Sequence, residues 1–123
     1  MKKALDIFGE EFIHSVLDNT VTKYGNMIFQ RRTRGITAQF VNEQLKGFSE
    51  EQRNAVYLVM EKAVEDATCN MLDLFEQNEE FQLTINMDGT PINLNEVSDG
   101  LSGELFGDDG WINKFSSIFK SKE

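Results

Sequence analysis

The residue types that perform nucleophilic or acid–base catalysis are scarce in this 123-residue sequence. A nucleophilic serine or cysteine needs a nearby base, and the only histidine is His14. Helical spacing places Glu11 and Asp18 beside it, and this triplet is typical of an exposed helix face with local charge pairs. We therefore expect His14 to make local charge pairs rather than to act as a catalytic base.

The only cysteine, Cys69, lies among acidic residues. Glu65, Asp66 and Asp73 are three or four residues from it, which places them on the same side of a helix. Negative neighbours disfavour the thiolate, the reactive form of cysteine, so we expect an unreactive thiol at the edge of a core. A single cysteine also excludes an internal disulfide and a cysteine-based zinc site.

No cofactor or metal motif is recognisable in the sequence. It contains no glycine-rich phosphate loop, no HExxH zinc motif and no EF-hand spacing of acids. The adjacent acids Glu79–Glu80 and Asp108–Asp109 could do acid–base work, but adjacent acids at helix ends usually supply charge and caps. We therefore predict no catalytic residue, no cofactor and no metal, and we expect that the protein is not an enzyme.

Charge is distributed unevenly along the chain. The net charge is −9, and residues 47–110 hold 15 acidic and only 2 basic residues, whereas both flanking segments have a small positive excess. This balance opposes binding to nucleic acid or to an anionic membrane. It can steer a basic protein partner, or it can simply keep helix faces solvated. We expect the short basic cluster at 31–34 to pair with the acidic long helix, within the chain or across a dimer.

The spacing of hydrophobic residues predicts one α+β domain, residues 1–123, that is mostly helical. A long helix over residues 3–31 is expected to stop at Gly35, and a short one follows over 37–46. Ser49 and Gln52 form a capping box that opens a central helix ending near Gln77. Alternation around Asp88–Gly89 predicts a β-hairpin at about 81–95. Short helices follow, with Ser98 and an aspartate as their expected caps.

The central helix is the longest element that the sequence predicts. Its 28 residues correspond to about 42 Å, more than the width of a domain of this size. It must therefore be a spine, be kinked, or project into a partner. We expect the core to be contacted by its apolar stripe, which comprises Ala55, Val56, Val59, Ala63, Ala67, Met71, Leu74 and Phe75.

The C-terminal segment carries the most distinctive pattern. Residues Asp99–Leu105 read DGLSGEL and residues Gly110–Ser116 read GWINKFS. With the stretch Cys69–Glu76, they resemble a set of small, uncharacterised bacterial cytoplasmic proteins that end in DGLxGEL followed by DGWIxxFS. Such proteins are similar to immunity proteins, which neutralise a toxin by binding it. The resemblance implies a protein partner and assigns no catalytic residue.

Trp111, the only tryptophan, has two possible roles. It could be an interface anchor flanked by acids, or it could close the core together with the nearby phenylalanines. We expect a non-enzymatic protein-binding module, an immunity-type inhibitor of a basic toxin domain. Its candidate partner-binding residues are Glu65, Asp66, Asp73, Asp99, Glu104, Asp108, Asp109 and Trp111.

Two other functions remain open from the sequence. The long helix could pair with itself to make a homodimer of structural role, or the acids could serve a small carboxylate-dependent hydrolase. The sequence has no apolar run of signal-peptide or membrane-span length, so we expect a cytoplasmic location.

Overall fold

The computed structural model describes residues 2–31 and 34–119, and it has the mostly helical α+β architecture that the sequence predicts. Arg32 of the basic cluster and the terminal residues 120–123, which are expected to fray, lie outside the described residues. The elements are α1 (Lys2–Phe12), a π-helix (Ile13–Asp18), α2 (Asn19–Ile28), α3 (Ile36–Gln44), α4 (Glu50–Gln77), β1 (Thr84–Met87), β2 (Thr90–Asn93), α5 (Leu94–Val97), a 3-10 helix (Ser102–Leu105) and α6 (Trp111–Phe115).

The first helical run ends earlier than the sequence predicts. α1, the π-helix and α2 follow one another without a break, and α2 ends at Ile28. The expected stop at Gly35 is wrong because the backbone already turns at Gln30, whose φ is 61°. Gly35, with a φ of 101°, instead precedes α3. Arg31 and Arg34 of the basic cluster therefore lie between α2 and α3 rather than within a helix.

Helix α4 begins where the capping box predicts. The Ser49 hydroxyl accepts a hydrogen bond from the Gln52 backbone N–H at 3.1 Å, and the Gln52 side chain accepts one from the Ser49 N–H at 2.8 Å. This exchange satisfies two of the donors that a helix start leaves free. Glu50 and Glu51 add favourable negative charge in the first turn. The central helix of residues 50–77 is thereby confirmed.

The β-hairpin is also confirmed. β1 and β2 pair antiparallel, with Met87 opposite Thr90 at the turn. Asp88 and Gly89 both have positive φ, 52° and 82°, as a two-residue hairpin turn of this kind requires. Pro91 lies opposite Asn86 in a two-stranded sheet, where both strands are edges and a missing N–H is tolerated.

Most of the apolar interior is one cluster, which we call the main core. Part-buried hairpin residues pack against it, as do Val64, Cys69 and Phe75 of α4. Its buried members are Ala4, Leu5, Phe12, Ile13, Leu17, Val21, Leu72, Leu94, Leu101, Leu105, Trp111 and Phe119. The main core therefore joins α1, the π-helix and α2 to α4 and to the C-terminal segment.

Trp111 belongs to this core and not to the surface. Its side chain is 1% exposed, and its ring lies edge-on to Phe8 and Phe12 with centroid separations of 5.7 and 6.4 Å. The indole sits so close to α1 that a Cβ on Gly9 would lie 2.4–2.5 Å from its ring atoms. The alternative in which Trp111 closes the core is thereby supported. A side chain this deeply buried cannot be a surface anchor in this conformation.

A smaller cluster, the second core, lies at the N-terminal half of α4. Its buried members are Met27, Ile28, Ala38, Val41 and Leu45. Val56, Tyr57 and Met60 of α4 pack against it, together with Tyr24 and Phe29. Arg53 is also buried, and its guanidinium donates to the carbonyls of Ile28 at 2.6 Å and Leu45 at 2.9 Å. One arginine thus ties the ends of α2 and α3 to α4.

The buried face of α4 differs from the predicted stripe. Its buried residues are Arg53, Glu61, Thr68 and Leu72, whereas Val59 is 70% exposed. Hydrogen bonds replace water for two of these polar residues: the Arg53 guanidinium donates to two carbonyls, and the Thr68 hydroxyl donates to the Val64 carbonyl at 2.8 Å. Of the predicted stripe, Val56 and Phe75 are part-buried and the remaining six residues are exposed.

The caps predicted for the C-terminal helices are wrong. α6 begins after Gly110 without a side-chain cap, so neither Asp108 nor Asp109 serves that role. Ser98 follows α5 instead of opening a helix, and its hydroxyl accepts from the Gly100 N–H and donates to Glu104. Ser98 therefore shapes the loop between α5 and the 3-10 helix.

Candidate interaction surface

The histidine site holds the C-terminal segment in place. His14 is exposed, and its Nε2 donates to the Phe115 carbonyl at 2.9 Å. Asp18 is buried and accepts from the Ser116 hydroxyl at 2.7 Å and from the Ser117 N–H at 2.8 Å. The expected charge pair on an exposed face is therefore wrong for Asp18. Both polar side chains bind residues 115–117, so their geometry serves attachment.

The π-helix is the local reason for this arrangement. Its wider turn spans Ile13–Asp18, which includes both His14 and Asp18. Single π turns inside α-helices redirect side chains and occur often at special sites. Here Ile13 and Leu17 remain in the main core, while Asp18 is also buried beneath the C-terminal segment.

The pKa of Cys69 reflects both its burial and the negative potential of the acidic part of α4. Burial raises the pKa of its thiol first, and the carboxylates of Asp73, Asp66, Glu65 and Glu76 raise it further. The expectation that the thiolate is suppressed is confirmed in direction. Glu76 also acts on Cys69, although it lies seven residues away, because seven residues are close to two helical turns.

Glu76 also fixes the C-terminal loop against α4. Its Oε1 accepts from the backbone N–H of Ser102 at 3.0 Å and from the Ser102 hydroxyl at 2.9 Å. Gly100 lies against the same carboxylate, since a Cβ there would be 3.3 Å from Glu76 Oε2. The segment that resembles DGLxGEL is thereby held along the acidic side of the helix.

Two clefts lie between α4 and the C-terminal loops and contain acids from both. Glu65 and Asp108 line a cleft of about 270 Å³, and Glu76 and Asp99 line another of about 220 Å³. Asp66 and Asp73 act on Cys69 together with Glu65 and Glu76, Glu104 accepts from the Ser98 hydroxyl beside the second cleft, and Asp109 follows Asp108 in the chain. We call these eight acids the acidic face: Glu65, Asp66, Asp73, Glu76, Asp99, Glu104, Asp108 and Asp109.

Seven of the eight candidate partner-binding residues belong to the acidic face, and they differ in exposure. Asp66, Asp99, Asp108 and Asp109 are exposed, whereas Glu65, Asp73 and Glu104 are part-buried. The remaining candidate, Trp111, is buried as described above. Glu76 was missed by sequence reasoning, although its helical spacing from Cys69 and Asp73 indicated the same side of α4.

Few positive charges neutralise this face. Residues 47–110 contain only Arg53 and Lys62 as basic residues, and Arg53 is buried in the second core. Lys62 lies 3.9 Å from Glu65 and 3.8 Å from Asp66, and its side chain is 69% exposed. Exposed pairs of this kind contribute little stability. One lysine beside eight carboxylates leaves the acidic face with a negative net charge.

The basic cluster does not neutralise the acidic helix within the described part of the chain. Arg31 lies over the ring of Phe29 at 5.2 Å, and it lines a cleft with Asn54 and Tyr57 of α4. Among residues 2–31 and 34–119, neither Arg31 nor Arg34 forms an ion pair with a carboxylate. The expected pairing within the chain is therefore not observed for these two arginines.

Two kinds of site are absent from the residues that the structure describes. Within residues 2–31 and 34–119, no group of three or more histidine, cysteine or acidic side chains is arranged to hold a metal ion. In the same part of the chain, no helix has both the length and the apolar character needed to cross a membrane.

Comparison with known proteins does not point to a function, so the function is inferred from the geometry. No known protein family, no curated protein and no solved structure matches this chain.

Proposed function

We propose that the protein is a non-enzymatic binding module whose acidic face binds a basic protein, as an immunity-type inhibitor binds a toxin domain. The observation that carries the proposal is the joining of acids from α4 and from the C-terminal loops into one surface through Glu76 and Ser102. A set of acids held by backbone contacts presents a fixed pattern of charge. Such a pattern gives a basic partner both orientation and speed of encounter.

The mechanism is steric occlusion guided by electrostatics. The basic surface of the partner is attracted to the acidic face, and the bound module then covers that surface. Because the attraction acts between exposed charges, it weakens as salt screens it over about 10 Å at 0.1 M ionic strength. We therefore expect association to slow as salt rises, while dissociation changes less.

Purification of partners from the organism that makes this protein tests this function. The tagged protein is used at low and moderate salt, and a captured basic protein is then expressed alone and tested for toxicity that this protein relieves. A face variant combines Asp66→Asn, Asp99→Asn and Asp109→Asn, all at exposed positions. Its matched control combines Glu10→Gln, Glu43→Gln and Asp88→Asn, which remove the same charge from other exposed positions.

We expect the face variant to associate at least tenfold more slowly, about 1.4 kcal/mol in the association barrier, and the control to keep the wild-type rate. Capture of no basic protein at either salt concentration would contradict the proposal. An equal loss of association rate in both variants would show that total charge, and not the arrangement of acids on the acidic face, controls binding. Turnover of a small molecule that disappears when one acid is neutralised would instead show an enzyme.

A further inference from the structure

A cleft of about 340 Å³ lies between α2 and the N-terminal half of α4. Its volume falls within the range of small-molecule sites, roughly 300 to 1,000 Å³. Arg31 is the one charged residue in its described lining, and we call it the arginine cleft. None of the eight acids of the acidic face lines it. The arginine cleft is therefore separate from the surface that carries the proposed function.

The inner part of the arginine cleft is apolar and aromatic. Val21 and Gly25 of α2 are buried there, and Ile118 is part-buried. The rings of Phe29 and Tyr57 lie beside each other with a centroid separation of 5.7 Å. Gly25 leaves room for the Tyr57 ring, since a Cβ at this position would lie 3.0 Å from its Cε1. Two rings beside buried aliphatic groups favour a flat apolar group in the cleft.

The turn after α2 fixes the position of Arg31. Its backbone N–H donates to the Asn26 carbonyl at 2.7 Å, directly after Gln30 takes a positive φ of 61°. The guanidinium of Arg31 then lies over the ring of Phe29, 5.2 Å from the ring centroid. A guanidinium over a ring still has N–H donors at its edge, so it can bind a carboxylate through two parallel hydrogen bonds.

The positive charge of Arg31 is not neutralised by a neighbouring side chain in the described part of the chain. Within residues 2–31 and 34–119, no carboxylate lies at ion-pair distance from it. Acids occur in the neighbouring helical turns, but none of them lines the cleft: Asp18, Glu50, Glu51 and Glu61. The described lining therefore carries a positive charge and no negative charge, which favours an anionic group over a cation.

Two amide side chains accompany the arginine. Asn26 of α2 is part-buried, Asn54 of α4 is exposed, and both line the cleft. An amide offers two N–H donors and one carbonyl acceptor. Together with the guanidinium, these amides supply more donors than acceptors, as recognition of a carboxylate requires.

We propose that the arginine cleft binds a small aromatic carboxylate. The ring of the ligand packs beside Phe29 and Tyr57, and its carboxylate accepts hydrogen bonds from Arg31. The amides of Asn26 and Asn54 complete the hydrogen bonding of the carboxylate oxygens. Because Arg31 and Asn54 are exposed to water, we expect a dissociation constant of about 0.1 to 1 mM for a small probe.

Titration of the full chain with phenylacetate, followed by proton–nitrogen NMR correlation spectra, tests the site. The net charge of −9 opposes any anion at long range, so the salt concentration is set near 0.15 M, which screens charges beyond about 8 Å. Phenylacetamide is the uncharged counterpart, and acetate lacks the ring. We expect saturable shifts with phenylacetate at Asn26, Arg31 and Asn54. The other two probes should bind at least tenfold more weakly, about 1.4 kcal/mol.

Substitutions identify the groups that hold the probe. Arg31→Gln should weaken phenylacetate binding at least tenfold, and Arg31→Lys should recover part of the loss because it restores the charge without the planar fork. Arg34→Gln is the matched control, since Arg34 is exposed, follows closely in the chain and does not line the cleft. Asn54→Glu, at an exposed helix position, should also weaken binding because it places a negative charge in the lining.

Four results would each overturn the proposal: no saturable shift up to about 20 mM phenylacetate, equal affinity for phenylacetamide, shifts confined to other parts of the protein, or an equal loss in Arg31→Gln and Arg34→Gln. The face variant should bind phenylacetate with the wild-type affinity, because none of its three positions lines the arginine cleft. The arginine cleft and the acidic face can therefore fail independently of each other.

Discussion

The two hydrophobic cores along α4 differ in how completely the chain closes them. The main core encloses Trp111 and Leu72, and it is covered by α1, by the hairpin and by the C-terminal segment. The second core has five buried residues, and Val59, which lines a hollow together with Val56 and Met60 of this core's edge, is 70% exposed. Both cores share one helix, so the difference lies in what covers the helix at each end.

The surfaces outside the two cores differ accordingly. The C-terminal half of α4, where Leu72 is fully buried in the main core, presents carboxylates such as Asp66 and Asp73. The N-terminal half, where packing is incomplete, presents the apolar hollow beside Val59. The two halves of one helix therefore present different surfaces, one mainly charged and one mainly apolar.

The largest effect is expected from matched truncations in the two cores. Leu72→Ala should lower the free energy of unfolding by about 4 kcal/mol, because the fully enclosed main core cannot collapse around the cavity. Leu45→Ala should cost about 2 kcal/mol, because residues at the edge of the second core can move into the space. Urea denaturation measures both values. Equal losses would contradict the difference between the cores.

Removal of the buried guanidinium should destabilise the second core selectively. Arg53→Met leaves the carbonyls of Ile28 and Leu45 without these donors, and we expect a loss of about 3 kcal/mol. Hydrogen exchange should show faster opening of α3 than of α1. Arg34→Met is the control, since Arg34 is exposed, and it should leave exchange unchanged. Uniform acceleration throughout the chain would argue against a separately stabilised second core.

A pair of glycine substitutions compares the tolerance of the cores to added volume. Gly9→Ala should cost about 2 kcal/mol, because its Cβ would overlap the enclosed ring of Trp111. Gly25→Ala should be close to neutral, because its Cβ meets the ring edge of Tyr57 at 3.0 Å and alanine favours the helix by about 1 kcal/mol. Thermal unfolding measures the difference, and a neutral Gly9→Ala would show that the indole is free to move.

The smallest effect concerns the potential at the acidic face. Because Asp73 contributes to the raised pKa of Cys69, Asp73→Asn should lower that pKa toward its ordinary value. More thiolate is then present at pH 7 to 8, so alkylation by iodoacetamide should become faster at fixed pH. Asp88→Asn, in the hairpin turn, is the control and should not change the rate. An unchanged alkylation rate in Asp73→Asn would show that the Asp73 carboxylate does not contribute to the negative potential at Cys69.

Local signals in the sequence predicted elements well and helix faces poorly. Ser49 and Gln52 correctly predicted the start of α4, and Asp88–Gly89 correctly predicted the hairpin turn. Both predictions succeeded because each signal depends on residues within a few positions of each other. The core-facing side of α4 was predicted wrongly because a hydrophobic pattern assigns polar residues to the surface, whereas the polar residue Arg53 is buried. Its acceptors are 25 and 8 residues away in the chain, and helical periodicity carries no information about them.

The candidate surface was predicted in composition but not in assembly. The charge imbalance drew attention to seven of these acids, since their number is visible in the sequence, and their role in binding stays a prediction. Their arrangement depends on Glu76, which binds Ser102 across 26 residues. Trp111 could not be assigned from sequence, because its place in the interior depends on the missing side chain at Gly9.

The attachment of residues 115–117 to Asp18 and His14 has a consequence for synthesis of the protein. Contacts across 98 to 101 residues can form only after the last of these residues has left the ribosome. Until Trp111 emerges, Phe8 and Phe12 lack the ring that covers them, and the nascent helices expose an apolar surface. Completion of this fold therefore waits for residues 115–117, and a nascent chain that still lacks them is the form most exposed to aggregation and to chaperones.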